Sequence, residues 1–298
     1  ENGADLIKTK VFELKKPKDT LTFKGIEKKP TVSLLRKFSA PVTIEREITD
    51  QDKLTLLTKD SDAYNRWDAS QQLMLASFEK IAYQKQDPSD ELINAFCQIM
   101  QDQKLMPAFR SQLLSQPSIS EIIAHFFKNN LPIDPEMIYT AKKIFSQKLA
   151  ESSNQFLEQL FHSLTRNVKY EPSAYQAGER SLKNILLGLL TRVDNGESAG
   201  KQFSGADNMT DEVAALSVLI QNDLVSTEID SFYERWADDR LVIDKWFMLQ
   251  TSLSQPSKSL EITKTLTKHP DFNKKNPNRF RATAVSYTHL RAHETPVN

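Results

Sequence analysis

Apolar residues recur at intervals of three and four positions from about Asp50 onward, with polar residues between them. This spacing puts the apolar side chains on one face of an α-helix, where neighbouring helices can bury them. Such stripes cover residues 63–81, 92–100, 119–127, 138–145, 156–164, 182–193, 213–220, 229–236, 242–249 and 260–266. We therefore predict a mainly α protein of about ten helices, stacked as antiparallel pairs in a HEAT-like α-solenoid.

Residues beside the stripes indicate where helices begin. Asp134 precedes Pro135, and an Asp can accept hydrogen bonds from free N–H groups while Pro fits the first helical turn. Thr210 is predicted to begin another helix, with Asp211 and Glu212 in its first turn. Acidic residues in that position interact favourably with the helix dipole.

Residues 1–49 follow a different pattern, in which apolar and polar residues alternate. Val42 and Ile44, for example, alternate with Thr43 and Glu45. A period of two is typical of strands, so we predict three or four short antiparallel strands. So few strands are rarely stable alone. We interpret residues 1–49 as the C-terminal part of an incomplete Ig-like β-sandwich, followed by a helical domain over residues 50–281.

The last segment, residues 282–298, continues neither the apolar stripe nor the composition before it, and we interpret it as a non-native tail. It contains His289 and His293, which would share one face of a helix. The neighbouring acid, Glu294, follows the second histidine rather than the first. A His-Glu-x-x-His zinc site is therefore not expected here.

Composition argues against several classes of protein. The 298 residues include only 7 glycines, and neither a P-loop nor a dinucleotide-binding fingerprint is present. Lys+Arg and Asp+Glu both number 39, so the basic surplus of a nucleic-acid-binding protein is missing. No apolar run reaches the length of a membrane span. Cys97 is the single cysteine and lies on an apolar stripe, so we expect a buried thiol and no disulfide.

The segment Asn276-Pro277-Asn278-Arg279-Phe280-Arg281 is the most suggestive of function. Asn before Pro starts a turn and would cap the next helix. Arg279 and Arg281 would then lie in a first turn, where the helix dipole disfavours cations. Another role is therefore needed to explain them. Carboxylate binding is one explanation, and a surface salt bridge is the other.

Several segments together resemble the bacterial aminopeptidase N family, which comprises alanyl aminopeptidases of the gluzincin type. The matches follow the family's order and spacing over about residues 38–281. The matching segments are Phe38-Ser39-Ala40-Pro41-Val42, Arg66-Trp67-Asp68-Ala69, Lys201-Gln202-Phe203, Ala206-Asp207-Asn208-Met209-Thr210-Asp211, Ala214-Ala215-Leu216-Ser217, Asp244-Lys245-Trp246-Phe247 and Asn276 to Arg281. The family continues with further helices after Arg281, so we expect the helical domain to be truncated.

The resemblance implies a role in a cytoplasmic zinc aminopeptidase that removes N-terminal residues from peptides. Zinc and the catalytic residues belong to a domain that is missing here, so we expect no cofactor and no catalytic centre in this region. Its partners would be that catalytic domain and peptide substrates, without nucleic acid or membrane. The helical domain would cap the catalytic domain and enclose a peptide chamber. Arg279 and Arg281 match an arginine pair of the capping domain, where they could attract a peptide carboxylate.

A second interpretation remains open, in which the chain is a stand-alone helical-repeat scaffold that binds a protein or peptide partner. A complete scaffold should carry terminal repeats with polar outer faces. Both ends of this chain look cut within an element, which favours the first interpretation.

Overall fold

The structure, a computed structural model, describes residues 9–42, 44–165 and 169–285. The part of the chain that it describes contains thirteen α-helices. They are α1 (Asp50–Lys59), α2 (Ala63–Glu79), α3 (Asp90–Gln101), α4 (Pro107–Leu114), α5 (Ile119–Lys128), α6 (Pro135–Leu164), α7 (Ala174–Leu190), α8 (Glu197–Gly205), α9 (Met209–Gln221), α10 (Glu228–Trp236), α11 (Arg240–Leu253), α12 (Pro256–Leu266) and α13 (Pro277–Phe280). A π-helical turn, Lys80–Gln84, continues α2, and another, Arg281–Val285, continues α13.

The helices stack as an α-solenoid, which confirms the predicted mainly α fold. Neighbours along the chain pack together, as α1 does with α2, α6 with α7, and α8 with α9. The longest helix, α6, also contacts α2, α3 and α12, so it connects the first and second halves of the stack. Six phenylalanines are fully buried between the helices: Phe78, Phe96, Phe126, Phe145, Phe232 and Phe247.

The predicted helix starts agree with the structure to within two residues. Asp134 caps α6, and its Oδ1 accepts a hydrogen bond from the backbone N–H of Glu136 at 2.8 Å. The helix predicted to begin at Thr210 begins at Met209, because Asn208 is its N-cap. The Asn208 Oδ1 atom accepts a hydrogen bond from the backbone N–H of Asp211 at 3.0 Å.

The predicted strands are absent from residues 9–42 and 44–49, and residues 9–30 are all exposed. A strand needs a neighbouring strand to satisfy its backbone N–H and C=O groups. The described residues offer this segment only helices, whose backbone groups are already paired. Alternating apolar side chains such as Val11 and Leu14 therefore face solvent. Thr43, which belonged to one predicted strand, lies outside the described residues.

Polar contacts hold the later part of this segment against α1 and α2. The Arg36 guanidinium donates to Asp60 and to the Ser61 hydroxyl, both at 2.6 Å. The Asn65 side-chain amide donates to Ser33 Oγ at 3.1 Å and to the Leu34 carbonyl at 3.0 Å. Residues 33–36 are thus anchored to the helical stack, although residues 9–30 are not buried.

The π-helical turn Arg281–Val285 packs against α11. Thr283 is fully buried, and its hydroxyl donates to the Arg279 carbonyl at 3.0 Å. The Thr251 hydroxyl of α11 donates to the Ala282 carbonyl at 3.1 Å. Residues 286–298, with His289, His293 and Glu294, lie outside the described residues, so the interpretation of that segment as a tail stays a prediction.

None of the described helices combines the length and the apolar character needed to cross a membrane.

Candidate functional site

The two arginines singled out in the sequence occupy different environments. Asn276 caps α13 as expected, since its Oδ1 accepts a hydrogen bond from the Asn278 N–H at 3.0 Å. Arg279 then points into the protein and is only 6% exposed, whereas Arg281 is exposed. The structure therefore does not bring the two guanidinium groups to one surface.

The Arg279 guanidinium is fully engaged inside the fold. Its Nε donates to the Asp244 carboxylate of α11, and its Nη1 donates to the Asp271 carbonyl at 2.6 Å. Its plane lies over the Phe247 ring, 4.9 Å from the centroid. This buried ion pair fixes α13 against α11, so a ligand could use Arg279 only by displacing these contacts. The sequence left two explanations open for Arg279, a surface salt bridge and carboxylate binding. The salt bridge that forms is buried.

A second cluster of polar residues surrounds Asp211 at the start of α9. Lys183 Nζ donates to its Oδ2 at 2.6 Å, and Asn184 Nδ2 donates to its Oδ1 at 2.9 Å. Asn208 Nδ2 donates to Oδ2 at 3.1 Å, and Gln202 Nε2 donates to the Asp211 carbonyl at 3.0 Å. Because Lys183 and Asp211 are both buried, each charge is stabilised by its partner and by these amides.

The neighbouring acid, Glu212, has an equivalent arrangement. It is buried, accepts a hydrogen bond from Arg235 at 2.7 Å, and accepts another from the Trp236 indole at 3.2 Å. Sequence reasoning assigned Asp211 and Glu212 only to the helix dipole and missed both networks. The sequence did contain a signal for a buried ion pair. Lys183 lies on the apolar face of α7, four residues before Leu187, and a lysine in such a position needs an acidic partner.

The segments that carry the family resemblance thus meet in space as packing and capping groups. The Asn276–Arg281 segment contacts Asp244 and Phe247. Gln202 of another matching segment contacts Asp211. These contacts give Arg279, Asp244, Phe247, Gln202 and Asp211 a structural role, whereas Arg281 takes no part in them.

A cavity of about 610 Å³ lies beside the middle helix, between α5, α6, α7, α9 and the α11–α12 connection. We call it the α6 cavity. Its apolar lining includes Ile123, Ile133, Ile138, Phe145, Ile185 and Leu253. Its charged lining residues are Lys142, Lys143 and Arg192, and no described residue that lines it is Asp or Glu. This volume is within the usual range for small-molecule sites.

Burial perturbs the cations of the α6 cavity. It lowers the pKa of Lys142 to about 8 and also lowers the pKa of Arg192. Lys142 Nζ donates to the Pro117 carbonyl at 2.8 Å. Arg192 Nε and the Ser254 hydroxyl, both on the lining, have no hydrogen-bond partner among the described residues.

The described residues hold no group of three His, Cys, Asp or Glu side chains that could bind a metal ion. The zinc implied by the resemblance therefore has no ligand set in this part of the chain, and no catalytic step can be derived from it. Cys97 is buried, and burial raises the pKa of its thiol, which keeps it protonated and unreactive. His125 pairs with Glu79 at 2.9 Å, and His162 is exposed.

Two family models match this chain. Residues 50–294 match a domain of unknown function described as DUF3458_C, with ARM repeats. Residues 1–47 match a domain of unknown function described as DUF3458, with an Ig-like fold. The second match covers the N-terminal segment, and no strand forms in the described part of that segment.

Three curated relatives bear the name aminopeptidase N. The chain is 29% identical to the Caulobacter vibrioides protein over 97% of its own length and 34% of the relative's length. For the Escherichia coli protein the identity is 29%, over 91% of the chain and 32% of the relative. For the Haemophilus influenzae protein the identity is 30%, over 89% of the chain and 31% of the relative. The chain thus spans about a third of the length of these relatives.

Among solved structures, the chain resembles Legionella pneumophila aminopeptidase A in complex with aspartic acid. The TM-score is 0.76 and the sequence identity is 28%. The similarity covers 89% of this chain and 32% of the Legionella chain.

Proposed function

Because the chain belongs to the DUF3458_C family of ARM-repeat domains, we propose that it is the helical C-terminal region of a zinc-dependent aminopeptidase. The observation that carries this proposal is a single stretch of similarity in both sequence and structure. It covers 97% of the chain against a protein named aminopeptidase N and 89% against a solved aminopeptidase A. The whole enzyme would remove N-terminal residues from peptides.

In this proposal the region from residue 50 to residue 281 caps a catalytic domain of the same protein and encloses a peptide chamber. Zinc and the groups that activate water would be supplied by that other domain. The partners would be the catalytic domain and peptides, and the location would be the cytoplasm, without nucleic acid or membrane. A stack of helices suits this role because solenoids present extended concave surfaces.

Arg281 and Arg279 have different roles in the proposed chamber. Arg281 is exposed and is proposed to attract the carboxylate of a peptide in the chamber. Arg279 would support it from within, by fixing α13 to α11. In the whole enzyme, Arg281→Glu should raise KM for a peptide substrate without changing KM or kcat for an alanine arylamide, which has no carboxylate. An unchanged KM would remove Arg281 from the chamber.

The first test is to sequence the source locus on both sides of this reading frame. The proposal expects an in-frame upstream His-Glu-x-x-His and further coding sequence beyond Arg281. The product of the whole locus should hydrolyse alanine p-nitroanilide and lose that activity to a zinc chelator. The present chain alone should not hydrolyse it.

A start codon directly before residue 1 together with a stop codon after residue 298 would contradict the proposal. In that case the stand-alone scaffold becomes the better interpretation, and peptide or protein binding should be measured instead. A complete gene product that folds but shows no aminopeptidase activity would also overturn it.

A further inference from the structure

The α6 cavity has an apolar wall, and all of its charged lining residues are cations. The helix α6 runs along it and its apolar side chains come from several helices, so it lies within the stack and is partly open to solvent. Lys142, Lys143 and Arg192 line it, and no carboxylate among the described lining residues offsets them. The charge pattern therefore favours a ligand with an anionic group joined to an apolar body.

Three acidic residues act electrostatically on the lining residues Lys142 and Tyr139, and each has another partner or faces solvent. Glu121 acts on Lys142 but accepts hydrogen bonds from the Ser118 N–H and hydroxyl at 2.7 Å. Asp223 is paired with Lys258. Glu136, close to Tyr139, is exposed at the start of α6. None of these three groups lines the cavity.

Two polar groups on the lining lack the partners that buried groups normally have. Ser254 is only 7% exposed, and its hydroxyl makes no hydrogen bond to a described residue. Arg192 Nε is buried and equally unsatisfied. Both atoms are covered by protein, but leaving such donors unpaired costs free energy, and a rotation of either side chain into the cavity would let a ligand oxygen accept from it. A carboxylate has acceptor positions for both kinds of donor.

We propose that the α6 cavity binds a free medium-chain carboxylic acid, with its apolar chain along the partly exposed Ile123, Ile185 and Leu253 and its carboxylate beside Arg192 and Ser254. The site is independent of the proposed aminopeptidase function, because it is built from residues of this region alone. Nothing in it needs a catalytic domain or a metal.

The test is calorimetric titration of the purified chain at low salt and about pH 7, with octanoate, decanoate and the neutral analogue decanol. Decanoate should bind one molecule per chain. Its two extra methylenes should make it about fifteenfold tighter than octanoate, because each buried methylene contributes about fourfold. Decanol should bind at least tenfold more weakly than decanoate, since it lacks the charge.

Three variants separate this cavity from general apolar binding. Arg192→Met should weaken decanoate at least tenfold while leaving decanol unchanged. Arg240→Met, which makes the same change at an exposed arginine outside the cavity, should leave both ligands unchanged. Ile185→Trp should fill the cavity and weaken both ligands. Circular dichroism checks that each variant is folded.

Several outcomes would overturn the proposal. Decanol that binds as tightly as decanoate would remove the role of charge. Equal losses in Arg192→Met and Arg240→Met would remove the role of the cavity. Failure of the folded wild-type chain to bind decanoate overturns the proposal directly. Binding of a peptide with an apolar C-terminal residue, without binding of decanoate, would assign the cavity to polypeptide chain ends instead of free acids.

Discussion

Arg279 and Arg281 lie two positions apart and have different surroundings, because a helix turns about 100° per residue and so directs these two side chains to nearly opposite sides. Arg279 meets Asp244 and Phe247 in the interior, while Arg281 is exposed. The sequence identified both as unusual for a first helical turn. It could not distinguish them, since the partner that decides the role of Arg279 lies 35 residues away in α11.

We predict that Arg279→Ala lowers the free energy of unfolding by about 3–5 kcal/mol, because it leaves the Asp244 carboxylate without its partner in a mostly buried position. Urea denaturation followed by circular dichroism measures this change. The matched variant Arg281→Ala should shift it by no more than about 0.5 kcal/mol, as is usual at exposed positions. Equal effects of the two substitutions would contradict the structural role of Arg279.

Lys142 should make stability depend on pH. Its pKa is about 8 in the folded chain and near the ordinary 10.5 in the unfolded chain. Between these values the unfolded chain holds one more proton than the folded chain, so the contribution of Lys142 to stability rises with pH in this window. Below pH 8 both states are protonated, and folding carries the cost of the buried charge.

The measurement is urea denaturation of the wild-type chain and Lys142→Met from about pH 7 to 10. The advantage of the Met variant should be largest near pH 7 and should shrink by up to about 1.4 kcal/mol per pH unit above pH 8. Lys143→Met, at the exposed neighbouring position, should show a difference that does not change with pH. A constant offset for Lys142→Met would mean that its amine is not perturbed.

At the scale of the helix, the boundaries follow from local chemistry. The Asp134-Pro135 start was evident from two adjacent residues. The start of α5 is a complete capping box that was not recognised in the sequence, although Ser118 and Glu121 have the spacing that defines one. Ser118 accepts a hydrogen bond from the Glu121 N–H, and the Glu121 carboxylate accepts one from the Ser118 N–H.

Ser118→Ala should lower the free energy of unfolding by about 1 kcal/mol, because the N–H of Glu121 loses its acceptor at the start of α5. Thermal unfolding and urea denaturation both measure this. Ser120→Ala is the control, since Ser120 lies in the same turn, is exposed and is not the capping residue. If both substitutions have the same effect, the capping box does not stabilise α5.

Strands are predicted less securely than helices, and residues 9–49 show why. A helix satisfies its backbone within one segment, so a periodic pattern and a cap are sufficient to define it. A strand is satisfied by a neighbouring strand, which the alternation of Val42 and Ile44 cannot supply. The buried clusters were missed for the same reason, because Asp211 and Lys183 are 28 residues apart and meet only in the folded stack.

For the whole molecule, the ten apolar stripes were sufficient to predict an α-solenoid, although they left out α1, α4 and α8 and divided α6 into two helices. The pattern could not show which apolar side chains remain exposed to solvent. Phe12, Leu14 and Phe23 are 43%, 65% and 51% exposed and lie in one extended segment. Exposed apolar side chains that recur along one exposed segment are expected where another part of a protein covers that segment. In the proposed whole enzyme, this would be the remainder of the Ig-like domain.

The triple substitution Phe12→Ser, Leu14→Ser and Phe23→Ser should reduce self-association of the chain without changing its melting temperature, because these side chains are exposed. Light scattering after size-exclusion chromatography gives the mass, and circular dichroism gives the melting temperature. Phe127→Ser is the control, because Phe127 is 75% exposed on α5, outside this segment. It should leave the mass unchanged. A lower melting temperature in the triple variant would show that the segment packs in solution.

The buried thiol of Cys97 on α3 also provides a way to measure local opening of the native chain. A reagent that reacts with thiolates can reach this side chain only when α3 opens, so its labelling rate in native buffer counts opening events. A labelling rate that rises with urea as steeply as global unfolding would mean that the helical repeats open together. A labelling rate that rises only slightly with urea would mean that the repeat containing α3 opens by itself. The repeats of the solenoid would then be only weakly coupled to their neighbours.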